Sequence, residues 1–102
     1  MRQDVDLLRV ILISLEAAER SPPEPIFVGL RELAASFATS PLDILNHLEY
    51  LAQSELIEGP GVYLEEEFLF RKLTRKGRVL VDAIRDLDDW TKVKSSYLPD
   101  AK

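Results

Sequence analysis

Hydrophobic residues recur at helical spacing from about Asp4 to Glu19. Leu8, Ile11, Leu12, Leu15 and Ala18 form one stripe. Leu7, Val10, Ile13 and Ala17 lie beside or behind it, so the apolar surface is wider than the roughly 100° that a surface helix needs. A C-terminal helix, a second subunit or both are expected to cover the remainder. Ser21-Pro22-Pro23-Glu24-Pro25 then forbids helix, because proline fixes φ and removes a donor. Ile26-Phe27-Val28 is a short β-type run. The helical period returns at Leu30, Leu33, Ala34 and Phe37, and Ala38-Thr39 makes a brief connection. The next helix has the best-marked start in the chain, with Ser40 as N-cap, Pro41 at N1 and Asp43 at N3. Its expected core stripe is Ile44, Leu45, Leu48, Leu51 and Ala52, and it should end near Ser54 or Glu55.

Leu56-Ile57-Glu58 reads as a strand, followed by the turn signal Gly59-Pro60-Gly61. Val62-Tyr63-Leu64 and the run from Phe68 to Leu73 return from it, with Glu65, Glu66 and Glu67 at a hairpin tip. Thr74 can cap a last helix carrying Leu80, Ala83, Ile84 and Leu87 on one side. Trp90, Val93 and Tyr97 continue that side before Pro99, which places the helix over about 74–94 and an irregular tail over 95–102. Two helices joined by a tight turn and followed by a hairpin predict a winged helix-turn-helix. The expected fold is thus a single α+β domain over 1–102, with a three-helix core, a C-terminal helix and a small antiparallel β-hairpin wing. A plain helical bundle with a decorative hairpin is the alternative.

Composition narrows the function classes. At 102 residues, 46% hydrophobic and 30% charged, the chain is the size and character of one globular domain. Thirteen Lys and Arg against 18 Asp and Glu give a net charge of -5, which argues against a generic polyanion binder. The absence of cysteine excludes a disulfide framework and thiolate chemistry, and a single histidine excludes a site with two imidazoles. Arg9 and Ser14 interrupt the N-terminal apolar stretch, so neither a signal peptide nor a membrane span is expected. The default compartment is the cytoplasm.

Several segments carry a family likeness. These are Met1-Arg2-Gln3-Asp4-Val5-Asp6-Leu7-Leu8-Arg9, the stretch from His47-Leu48 through Gly59, Leu73-Thr74 with Gly77, Asp82-Ala83-Ile84-Arg85-Asp86, Trp90, and Lys92-Val93-Lys94. Together they resemble an uncharacterised bacterial and prophage family of small winged-helix proteins, a domain of unknown function. The resemblance implies a winged-helix fold and brings no catalytic residues and no cofactor. The Pro-rich loop and the acidic Glu65-Glu66-Glu67 are not features of that pattern.

A helix that enters the major groove needs side chains that reach base edges and cations for phosphates. With Leu45 and Leu48 taken as core, Asn46, His47, Tyr50 and Gln53 point outward and are the candidate base contacts. No Lys or Arg lies between Arg31 and Arg71, whereas Glu32, Asp43, Glu49, Glu55, Glu58, Glu65, Glu66 and Glu67 are acidic. A basic cluster follows, Arg71, Lys72, Arg75, Lys76 and Arg78; the first four are the candidate phosphate contacts, and a solvated face is the plainer reading. Arg85 and Trp90 could anchor a partner, although packing of Trp90 on the first helix is the simpler expectation. No metal-ligand spacing, Gly-rich phosphate loop or nucleophile motif is present, so neither an enzyme nor a metal or cofactor site is expected. Two classes remain: a DNA-associated transcriptional regulator, and a protein-interaction module using the acidic third helix and wing with Glu65, Glu66 and Glu67. A homodimer through the terminal helices fits either.

Overall fold

The computed structural model describes residues 4–59, 61–64, 66–86 and 90. The chain order is α1 (Val5–Ala18), β1 (Ile26–Gly29), α2 (Leu30–Ser36), α3 (Pro41–Gln53), β2 (Ile57–Glu58), β3 (Gly61–Leu64), β4 (Glu67–Phe70), β5 (Lys72–Leu73) and α4 (Arg75–Ile84). Asp4 starts α1, its Oδ1 accepting from the backbone N–H of Asp6 and of Leu7. Leu7, Leu8, Ile11, Leu12 and Leu15 are all buried. The core stripe of α1 is covered within the chain, by α3 and β5 and by α4, and Trp90 is buried in the same core. Val10 and Ile13 are only half-buried, and Ala18, expected in the stripe, is exposed with Ala17.

Both helices of the helix-turn-helix stop sharply without glycine. Ala38 and Glu55 take the left-handed conformation, with φ 55 and φ 61. In each case the next N–H reaches back five residues, Thr39 to Ala34 O and Leu56 to Leu51 O. That bond satisfies a carbonyl the helix end leaves open.

The wing is an antiparallel sheet in the order β1-β4-β3, with Ile26 opposite Phe70, Val28 opposite Phe68, and an irregularity between Val62 and Leu64 on β3. The run from Phe68 to Leu73, expected as one strand, divides at Arg71. Beyond it β5 leaves the wing and pairs with β2, Ile57 opposite Leu73 and Glu58 opposite Lys72. Phe68, Phe70 and Leu73 remain buried, and the spacing of two within β4 lengthens to three across Arg71, where the partner changes. Glu67 belongs to β4 rather than to the hairpin tip.

The last helix, α4, does not run unbroken over the expected 74–94, although Trp90 is again helical and Leu87 lies outside the described residues. The α4 helix ends at Ile84, where the Arg9 guanidinium donates to Ile84 O at 2.8 Å and to Arg85 O at 2.7 Å. A cation on the last carbonyls is a favourable helix terminator. Residues 91–102, including the expected extension at Val93 and Tyr97, lie outside the described residues. The whole is an α+β winged helix-turn-helix.

Charged pairs hold α4 along α1. Arg78 makes two bonds to Glu19, at 2.9 and 2.8 Å, and Glu19 Oε2 also accepts from Leu73 N. Arg85 makes two bonds of 2.8 Å to Glu16 and one to Asp82. The hydrogen bonds from Arg85 hold the Glu16 carboxyl below its ordinary 4.5. A depressed carboxyl contributes stability that is full above its unfolded value and is lost as pH falls through the lower folded value. Urea titrations should therefore show the wild type losing stability below that ordinary value. Glu16→Gln should lose less over the same acid range, and an identical loss in both would remove Glu16 from the linkage.

Candidate functional site

The sharp stop at Ala38 delivers the chain to α3. Ser40 Oγ accepts from Asp43 N at 3.1 Å, and Pro41 occupies the first turn, where no donor is missed. Asp43 does not complete a capping box; its Oδ2 accepts from Thr39 Oγ1 at 2.6 Å. The buried face of α3 is Ile44, His47, Leu48 and Leu51, and Leu45 is only half-buried. Leu42, Asn46, Glu49 and Gln53 stand opposite, at i, i+4, i+7 and i+11. Leu42 is 65% exposed, and Tyr50 sits half-buried at the edge of this stripe.

His47 is not a base contact. It is 1% exposed. Its Nε2 accepts from Asp4 N at 2.9 Å and its Nδ1 faces Asp43 O at 2.7 Å. The backbone N–H can only donate and the carbonyl only accept, so the ring proton sits on Nδ1. The imidazole clasps the first residues of α1 to the first turn of α3. Centring the helical wheel on Ile44, Leu48 and Leu51 instead of Leu45 places position 47 inside the stripe, and that much was visible in the spacing. The donor from Asp4 was not.

Gln53 is exposed and Asn46 half-buried on the side away from the core, whereas Tyr50, expected to point outward, is half-buried and packs against the core. None of their side chains hydrogen-bonds to another described residue. The acidic wing is less free than its composition suggests. Arg31 meets Glu66 with two bonds, at 2.7 and 2.8 Å, and Leu30 N donates to Glu66 O, so the tip is tied to the start of α2. The Glu66 bonds raise the Arg31 guanidinium above its ordinary value. Glu58 is paired with Arg71. Glu65 lies outside the described residues.

The basic cluster divides by role. Arg71 is engaged by Glu58 and Arg78 by Glu19, so neither is an uncommitted phosphate contact. Lys72 and Arg75 form no ion pair among the described residues. Lys76 Nζ donates to Ser54 O at 3.0 Å, and Thr74 Oγ1 donates to Glu55 O at 2.6 Å. These two bonds fasten the start of α4 to the end of α3, which brings Lys76 to the residue after Gln53. Sequence separation hid this neighbourhood.

Trp90 has almost no exposed surface to offer a partner, and Arg85 is already paired within the chain. Arg85 is committed to Glu16 and Asp82, and the Glu16 bonds raise its guanidinium above the ordinary range. Trp90 is buried, with Nε1 donating to Asp6 Oδ1 at 2.7 Å. A cavity of about 390 Å³ lies between the start of α1 and the turn after α2, floored by Leu7, Val10 and Phe37. Among the described residues no group of three His, Asp or Glu side chains is arranged to hold a metal. No helix among them is long and apolar enough to cross a membrane.

The chain belongs to the family described as "Hypothetical protein (DUF2513)", which matches residues 2–99. Its structure is similar to that of ZitR from Lactococcus lactis, with a TM-score of 0.54 and 20% sequence identity. The similarity covers 97% of this chain and 63% of ZitR, so this chain spans less than two thirds of that one. At that identity the likeness bears on the winged-helix fold alone. No curated protein matches the chain.

Proposed function

We propose that the protein is a non-enzymatic, DNA-associated domain of the transcriptional-regulator kind, acting in the cytoplasm of a bacterium or on behalf of a prophage. Asn46, Tyr50 and Gln53 would face base edges, and Lys72, Arg75 and Lys76 would meet phosphates. One observation carries the proposal: Lys76 reaching Ser54 O at 3.0 Å sets the cations of α4 beside the C-terminal end of α3. Along the sequence α3 stands in a stretch without Lys or Arg from Arg31 to Arg71, and the fold supplies what that stretch lacks.

Protein docking through the acidic wing has weaker support, because Glu66 and Glu58 are neutralised by Arg31 and Arg71. The core stripe of α1 is buried within its own chain, whereas Val10 and Ile13 are half-buried and Ala17 and Ala18 exposed, so a homodimer through the terminal helices remains compatible with α1.

The test is charge reversal. Arg75 and Lys76 are exposed, so Arg75→Glu with Lys76→Glu should stay folded by circular dichroism and lose only about 1 kcal/mol with the Lys76–Ser54 bond. Each phosphate contact contributes about 0.9 to the slope of log affinity against log salt, so the double variant should lose nearly two units of slope on duplex DNA. An unchanged slope would remove both residues from the interface.

A further inference from the structure

We infer that the open face of α3 is a reader of A·T base pairs, with Leu42 seated against thymine methyl groups. This rests on the DNA-associated function proposed above. In a helix-turn-helix the N-terminal residues of the second helix meet the base edges. Leu42 is the second residue of α3 and is 65% exposed, with no place in the hydrophobic core. An exposed leucine at that point offers nothing to a hydrogen-bonding edge. It complements the one apolar group on the major-groove floor, the C5-methyl of thymine.

Asn46 follows one turn later on the same stripe, and Gln53 two turns after that. Both are amides without partners among the described residues. An amide presents a donor and an acceptor together, which matches the N6 and N7 of adenine. Guanine is read most often by Arg or Lys across O6 and N7, and α3 contains neither type. Glu49, between the two amides, can only accept, so it suits the amino group of adenine or of cytosine and does not choose between the pairs. Leu42, Asn46 and Gln53 on one face of one helix thus agree in chemistry. The cations at its far end add affinity without sequence information.

Three short duplexes test this at low salt: alternating A·T, the same sequence with every thymine replaced by uracil, and alternating G·C. The wild type should bind A·T about tenfold more tightly than G·C, the discrimination of a single good base contact. Uracil removes only the methyl group, and each contacted methyl should contribute about fourfold. Leu42→Ala changes an exposed position, so it should fold normally and bind the thymine and uracil duplexes alike. Asn46→Ala should lose the preference over G·C while keeping sensitivity to the methyl.

Equal wild-type binding to A·T and G·C, or indifference to uracil, would overturn base reading and leave the DNA-associated function standing. Methyl sensitivity that persists in Leu42→Ala would overturn the role of Leu42. No binding to any of the three would overturn both.

Discussion

Replacing Trp90 with alanine is expected to lower stability by about 3–5 kcal/mol, the range for removing a fully buried aromatic side chain. Trp90 is 1% exposed and heads the fully buried side chains by volume. It is reached beyond the end of α4, where its N–H donates to Asp86 O at 2.9 Å. Its indole then donates to Asp6 in the first turn of α1. The side chain therefore ties the segment after α4 to the first turn of α1. For a domain of this size each kcal/mol is worth about 4–8 °C, so the thermal midpoint should fall by more than about 12 °C. Trp90→Phe keeps most of the apolar volume and loses only the bond to Asp6, so it should cost about 1 kcal/mol. Circular dichroism is the proper readout, because Trp90 is the only tryptophan. A loss below about 1 kcal/mol in Trp90→Ala would mean that the ring is not seated in the core.

Gly77→Ala should destabilise although alanine is the better helix former. On an open helix the exchange gains about 1 kcal/mol. Here a Cβ at position 77 would lie 2.0 Å from Leu56 O and 3.0 Å from Leu56 C. Both are backbone atoms at the entry to β2, so no side-chain rotation relieves the clash. The start of α4 must move away, which weakens Thr74 N to Leu56 O, Thr74 Oγ1 to Glu55 O and Lys76 to Ser54 O. A net loss of about 2 kcal/mol is expected, in the range for overpacking. The same shift carries Arg75 and Lys76 away from α3, so DNA affinity should fall in protein that remains folded. A rise in stability would contradict the close approach of α4 to the α3–β2 junction.

The sequence displayed the parts of the fold whose causes are local. Ser40, Pro41 and Asp43 marked the start of α3 because capping acts within one turn. Gly59 and Gly61 marked the entry to the wing in the same way, and the short run at Ile26 is indeed β1. What could not be read depends on distant partners. The end of α4 is set by Arg9, 75 positions from Ile84. The division of the last strands at Arg71 follows from β2 competing with β1 and β3 for one extended segment.

For the candidate site the difference is larger. The placement of Asn46 and Gln53 away from the core was legible from the helical wheel, whereas Tyr50 packs partly against the core. His47 was misplaced by centring that wheel on Leu45, which is only half-buried. Charge was misjudged in both directions. Arg78 and Arg85 are consumed by Glu19 and Glu16, and Glu66 is consumed by Arg31. A linear count of acids and bases contains none of these cancellations, yet they decide which cations face solvent beside α3.

The most direct measurement is a titration of fluorescent random-sequence duplex DNA by the wild-type protein at about 50 mM and 200 mM salt. If Lys72, Arg75 and Lys76 each meet a phosphate, binding should saturate at the lower salt and weaken about 40-fold at the higher. Absence of saturable binding at the lower salt, with the protein folded by circular dichroism, would contradict a DNA-associated function. Binding with no salt dependence would contradict the cationic end of α3 as its source.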